Sequence, residues 1–137
     1  METIDLTSFE NAINSLASIL DRFQKENDID LRDSVIQRFE YTYALALKVL
    51  KRYFMESAFA EQDAKEIFGM SFNQMIRTAN QMNLLHSDLE TWYDYRQKRN
   101  MTSHTYDENV ANDVVAIIPA FKDEAEFLLN RLKERLE

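Results

Sequence analysis

Residues 105–132 read TYDENVANDVVAIIPAFKDEAEFLLNRL, and their apolar positions Val110, Val114, Ile117, Phe121, Ala125, Leu128 and Leu132 recur three and four apart. That spacing puts them on one face of a helix, because each residue turns an α-helix by about 100°. A helix this long with a single apolar stripe needs partners to cover it. Pro119 falls inside the stretch, where its missing N–H and its ring predict a kink or a short break. Immediately before it, residues 99–106, Arg99-Asn100-Met101-Thr102-Ser103-His104-Thr105-Tyr106, carry polar groups of the kind that perform chemistry.

Working outward, helix starts are marked by Ser or Thr followed three residues later by Glu or Gln, a pattern that satisfies two orphan amides reciprocally. It occurs at Thr7 with Glu10, Ser71 with Gln74, Ser87 with Glu90 and Thr105 with Glu108. The first predicts a helix to about Gln24 with the stripe Phe9, Ala12, Ile13, Leu16, Leu20 and Phe23. Asp30 is the expected cap of a longer second helix facing Ile36, Phe39, Tyr43, Leu47, Leu50 and Phe54 inward. A brief helical turn over Asp63 to Phe68 is expected to end at Gly69 in a left-handed cap. The helix from Ser71 presents Phe72, Met75, Ile76 and Ala79. The one from Ser87 presents Leu89, Trp92 and Tyr93, read as core, and runs into the basic stretch, while His86 before it reads as a loop residue. The fold class is therefore all-α: one domain over residues 1–137, an antiparallel four-helix bundle with an additional short helix.

Composition agrees. The chain has 137 residues, 45% hydrophobic and 29% charged, with one glycine and one proline, so the turn residues an all-β domain requires are nearly absent. It has no cysteine, which removes disulfides and thiolate metal sites. The opening METIDLTSFENAINSL is acidic and lacks an apolar core of signal-peptide length, and no later stretch approaches a membrane span, so a cytoplasmic, non-membrane protein is expected.

Sixteen Lys and Arg against 24 Asp and Glu give a formal charge of −8, which opposes generic charge-driven binding of nucleic acid. Any RNA contact has to be local. Between Tyr95 and Tyr106 the chain carries Arg96, Lys98, Arg99 and His104 with no acid, and a second basic group, Lys48, Lys51 and Arg52, lies elsewhere. On one unbroken helix Arg99 and His104 would point apart. The Thr105 and Glu108 pattern predicts a break that leaves Arg99 at the end of one helix, His104 in the connection and Tyr106 in the first turn of the next. Free amides at that start favour a phosphate and a neutral His104.

Cleaving RNA without a metal takes a base for the 2′-hydroxyl proton, a stabiliser for the charged phosphorane and an acid for the leaving oxygen. His104 suits the first role and Arg99 the second; a symmetric homodimer would supply the third. From the spacing alone, an Arg and a His at a helix junction more often make a capping and ion-pair arrangement than an active site. Likewise Lys48, Lys51 and Arg52 read as a solvated face, and Tyr106 as an ordinary helix-start tyrosine.

Taken in order, Gln37-Arg38-Phe39-Glu40-Tyr41-Thr42-Tyr43, Leu45, Lys48 and the run Arg99 to Glu108 resemble the nucleotidyltransferase substrate-binding protein family of the HEPN superfamily. Two positions depart from its pattern: Ala44 and Leu47 stand where members usually have Glu and Trp. The resemblance implies a dimeric four-helix bundle that works with a separate minimal nucleotidyltransferase, and in many such pairs a toxin–antitoxin module. It implies a metal-independent, cofactor-free RNase with an Arg-x4-His motif, here Arg99 and His104 with the polar Asn100, and a tyrosine two positions after the His, Tyr106, that the partner neutralises by transferring AMP (AMPylation). An older reading of the same family is a non-catalytic subunit that binds the partner's substrate.

Overall fold

The computed structural model describes residues 4–57 and 61–136. Six α-helices and one short 3-10 turn follow in order: α1 (Thr7–Glu26), α2 (Ile29–Glu56), α3 (Glu61–Phe68), α4 (Phe72–Gln81), α5 (Leu89–Asn100), the 3-10 turn Thr102–His104 and α6 (Glu108–Leu136). No strand occurs among the described residues. The bundle consists of α1, α2, α5 and α6; α3 and α4 are the shorter helices between α2 and α5, where the sequence places a brief turn over 63–68 and a helix from Ser71.

Packing follows from the stripes. In α1, Phe9, Ala12, Ile13, Leu16, Ile19 and Leu20 are buried. α1 and α2 form an antiparallel hairpin, along which Thr42 Oγ1 donates to the Ala12 carbonyl and the Arg38 guanidinium donates to the Ser15 carbonyl. α2 and α6 run in the same direction, since Arg32 meets Glu108 and Phe39 meets Phe121 edge-on at 5.1 Å. Around Phe121 gather Tyr43, Trp92 and Tyr95 as well, with ring centroids 6.1, 6.1 and 5.2 Å away. This aromatic cluster joins α2, α5 and α6, and tilted or edge-on pairs of this kind add to the burial of their surface.

Several local expectations are corrected. The stripe of α6 is Ala111, Val114, Ile118, Phe121, Ala125, Leu128 and Leu132. It sits one position later at two places, because Val110 and Ile117 flank the buried face and are only half-buried. Helical secondary structure continues through Pro119 without a break. Only the pattern at Ser71 and Gln74 forms a complete capping box. Elsewhere an aspartate wins, because its side chain reaches the first-turn amides equally well. Asp28, not Asp30, caps α2 and accepts from the Asp30 amide; Asp88, not Ser87, caps α5 and accepts from the Thr91 amide; Asp5 accepts from the Thr7 amide ahead of α1. The first residue past α3 is Gly69, as expected, but its φ is not positive; among the described residues the left-handed ones are Asn27 and Asn83. Tyr93 is not core: it is 42% exposed, and Tyr95 takes the buried position beside Trp92.

Candidate anion-binding site at the end of α5

The C-terminal end of α5 carries Arg96 and, in its last turn, Lys98, Arg99 and Asn100. Cations are favoured there by the negative end of the helix dipole. The helix stops because the chain tightens into a 3-10 turn: the Met101 amide still bonds to the Gln97 carbonyl, while the His104 amide bonds to the Met101 carbonyl at 3.0 Å and the Asp107 amide to the His104 carbonyl at 3.1 Å. Thr102 pins this turn from below. It is buried, its Oγ1 donates to the Arg99 carbonyl at 2.8 Å, and it accepts from Arg99 Nη1 at 3.4 Å. Thr105 Oγ1 donates to the Thr102 carbonyl at 3.2 Å, so Thr105 closes the turn and does not cap α6.

The cap of α6 is Asp107, whose carboxylate accepts from the Asn109 and Val110 amides at 2.9 and 3.3 Å. This corrects two expectations. Tyr106 lies in the turn before α6, not in its first turn, and with the start moved to Asp107 two of the amides there, those of Asn109 and Val110, are taken by a carboxylate. Glu108 is also committed, to Arg32. That leaves the arginines near the end of α5, Arg96 and Arg99, as the candidate residues for an anion.

Those arginines line a cavity of about 430 Å³ between α2, α4 and α5. Arg96, Arg99 and Asn100 form its polar side; Tyr43, Ala44, Leu47 and Phe72 form the rest. The two departures from the family pattern, Ala44 and Leu47, therefore both face this space. The Arg96 guanidinium lies over the Phe72 ring, 4.8 Å from its centroid, a cation–π contact that leaves its hydrogen-bond donors free. Among the described residues neither Arg96 nor Arg99 forms an ion pair, whereas Lys98 turns toward Asp94 at 3.9 Å and does not line the cavity. Burial pushes the Tyr43 phenol up to about 12, and the positive charges of Arg96 and Arg99 pull it back only in part; at neutral pH it keeps its proton.

His104 does not line the cavity. It is exposed on the 3-10 turn that follows, with its ring 6.1 Å from the Tyr106 ring, and Tyr106 is 85% exposed. The second basic group lies apart: Lys48 and Arg52 border a smaller cavity of about 150 Å³ with Asp5 and Ser8, and Lys51 stacks on Phe68 at 4.6 Å. His86, the other histidine, packs on Phe127 with centroids 5.5 Å apart. The residues missed in the sequence are Thr102, Tyr43 and Phe72 as parts of this site. Tyr43 and Phe72 obey the core periodicity, and only their neighbours in space reveal the second role.

The fold defines the class, an all-helical bundle, and the site gathers two guanidinia without ion pairs among the described residues and a carboxamide at one helix end. The sequence identifies which bundle: the chain belongs to the family described as nucleotidyltransferase substrate binding protein like, which matches residues 4–134. It is 33% identical over 143 residues to the probable ribonuclease HepT of Haemophilus influenzae, covering 98% of this chain and 95% of that one. A solved Haemophilus influenzae structure, described as revealing the fold of a substrate binding domain of a nucleotidyltransferase, superposes with a TM-score of 0.84 at 33% identity, covering 94% of this chain and 99% of that one. A crystal structure of a Thermus thermophilus protein superposes with a TM-score of 0.72 at 30% identity, covering 90% and 98%.

Proposed function

We propose that this protein is a metal-independent endoribonuclease of the HEPN type, the toxin of a toxin–antitoxin pair. Arg99 binds the scissile phosphate and stabilises the charge of the phosphorane, with Asn100 as a hydrogen-bonding neighbour. His104 takes the proton of the 2′-hydroxyl as that oxygen attacks phosphorus; the bond to the 5′-oxygen breaks, and that oxygen needs a proton in turn. A second copy in a homodimer brings the second Arg99 and His104 that complete the acid–base pair. Arg96, and more weakly Lys98, Lys48, Lys51 and Arg52, guide the RNA. A minimal nucleotidyltransferase neutralises the toxin: the Tyr106 hydroxyl oxygen, giving up its proton, attacks the α-phosphorus of ATP, pyrophosphate leaves, and the charge of the added AMP repels RNA phosphate.

The observation that carries this reading is the pair of unpaired guanidinia, Arg96 and Arg99, converging one turn before an exposed imidazole in a molecule of charge −8. In an acidic protein, two arginines left without carboxylates in one cavity await an anion from outside. The test is purified protein, free of its partner, incubated with RNA and a chelator. Cleavage by the wild type and its loss in His104→Ala is expected; equal background in both refutes the nuclease. The second reading is then the one to keep: a non-catalytic subunit that presents substrate to the nucleotidyltransferase, favoured by the description of the solved Haemophilus influenzae relative.

A further inference from the structure

We infer that the cavity beside Arg99 is a base-binding subsite, which holds one unpaired nucleotide of the RNA with its base against the apolar wall and its phosphate on the guanidinia. The inference rests on RNA as the substrate, and it adds a source of sequence preference that Arg99 and His104 by themselves do not provide.

Three features point the same way. The volume, about 430 Å³, lies within the range of about 300–1,000 Å³ in which pockets hold small organic ligands. Its walls divide by chemistry: the Ala44 methyl, the Leu47 side chain and the Phe72 ring offer a surface for a flat aromatic group, while Arg96, Arg99 and Asn100 offer donors for an anion and a hydrogen-bonding edge. An inorganic anion alone would use only half of this lining. The Arg96 guanidinium supplies the third feature. It lies over the Phe72 ring, 4.8 Å from the centroid, and lines the cavity, and bases splayed out of single-stranded RNA stack on arginine planes as they do on aromatic rings. The Tyr43 hydroxyl, protonated at neutral pH, adds one neutral donor. A double-stranded substrate cannot use such a site, because its bases are stacked within the duplex.

The test is mononucleotide binding to the intact protein, measured by calorimetry and by the methyl resonances of Ala44 and Leu47, with AMP, GMP, CMP and UMP as probes and inorganic phosphate as the control. At least one mononucleotide is expected to bind more tightly than phosphate and to shift both methyl groups. Leu47→Trp, which fills the cavity, and Arg96→Ala, which removes the guanidinium from an exposed position, are each expected to weaken that binding by about tenfold or more, the loss of one base stack. Arg22→Ala, on α1 and outside the cavity, is expected to bind as the wild type does. Phosphate binding as tightly as every mononucleotide, or mononucleotide binding untouched by both cavity variants, overturns the subsite. RNA cleavage with no mononucleotide binding also overturns it and leaves the nuclease standing; mononucleotide binding without any cleavage supports the subsite and removes the nuclease.

Discussion

Arg32 and Glu108, 76 residues apart in the chain, meet in a two-pronged ion pair, Nη1 donating to one carboxylate oxygen at 2.8 Å and Nη2 to the other at 3.1 Å. Arg32 Nη1 also reaches Asn112 Oδ1 at 3.4 Å. The planar fork suits a carboxylate in both distance and direction. The pair ties the start of α2 to the first turn of α6, and hence to Asp107 and the turn that bears His104 and Tyr106.

The pair carries a pH signature. The Arg32 guanidinium holds the Glu108 carboxyl below its ordinary value of 4.5. A carboxyl whose folded value is depressed contributes stability that is present above its unfolded value and is lost as pH falls through the folded one. The wild type is therefore expected to be more stable than Arg32→Gln at neutral pH, and the gap is expected to narrow below about pH 4.5. Thermal unfolding followed by circular dichroism across that range measures it; a gap independent of pH would assign the difference to packing alone.

Glu124 does the equivalent service for α5. It is 2% exposed in the middle of α6, and its carboxylate accepts from the His86 and Ser87 amides at 2.7 and 2.9 Å, just ahead of the Asp88 cap. Glu124→Ala removes the partner of both amides in a part-buried setting, and we expect a loss of about 1–3 kcal/mol in urea unfolding. Glu124→Gln, which retains one acceptor oxygen, is expected to lose less. An Ala variant as stable as the wild type would mean that water replaces the carboxylate at no cost.

These two contacts show where sequence reading reaches and where it stops. The stripes of α1, α2, α4 and, but for two positions, α6 were legible because burial repeats with the helical period, and the break between Arg99 and His104 was legible from the Thr105 and Glu108 pattern, although Asp107 and not Thr105 caps α6. Long-range partners were not. Glu108 reads as half of a capping box with Thr105, yet its carboxylate is bound by an arginine that no local spacing connects to it. Tyr93 and Tyr95 differ by two positions on a helix whose apolar residues define no clear face, so periodicity could not choose between them. The cavity was invisible for a related reason: Tyr43, Leu47 and Phe72 obey the core pattern, and only the approach of α4 to α2 and α5 shows that the wall between them is incomplete.

Within the basic stretch the geometry ranks the residues. Arg96 and Arg99 line the cavity without ion pairs, whereas Lys98 is held by Asp94. A cation that is already paired releases less from the counterion atmosphere of RNA than a free one. Arg96→Ala is expected to lower the slope of log affinity against log salt by about 0.7, the value for one phosphate contact on a single strand. Lys98→Ala is expected to change it by less. Binding of a labelled single-stranded RNA to the His104→Ala background, titrated with salt, separates the two; equal slopes for both variants would mean that the Asp94 contact has no bearing on RNA.

The tyrosines can be ranked in the same way for modification. Tyr41, Tyr93 and Tyr106 are the exposed ones among the described residues, at 39, 42 and 85%. The Tyr41 hydroxyl donates to Ser15 Oγ at 3.2 Å and the Tyr93 hydroxyl to Asn73 Oδ1, while Tyr106 stands clear of both α5 and α6 beside His104. A transferase that needs a free phenolic oxygen therefore meets the fewest obstacles at Tyr106. Tyr106→Phe removes that oxygen from a side chain with little packing, so we expect stability within about 0.5 kcal/mol of the wild type. With the partner nucleotidyltransferase and ATP, the wild type is expected to gain the mass of an adenylyl group and lose RNA cleavage, and Tyr106→Phe to gain no mass and go on cleaving. Intact-protein mass spectrometry alongside the cleavage assay reads both outcomes. Neutralisation of Tyr106→Phe to the same extent as the wild type would move the acceptor elsewhere, and the short reach from Tyr106 to His104 would then be a packing contact only.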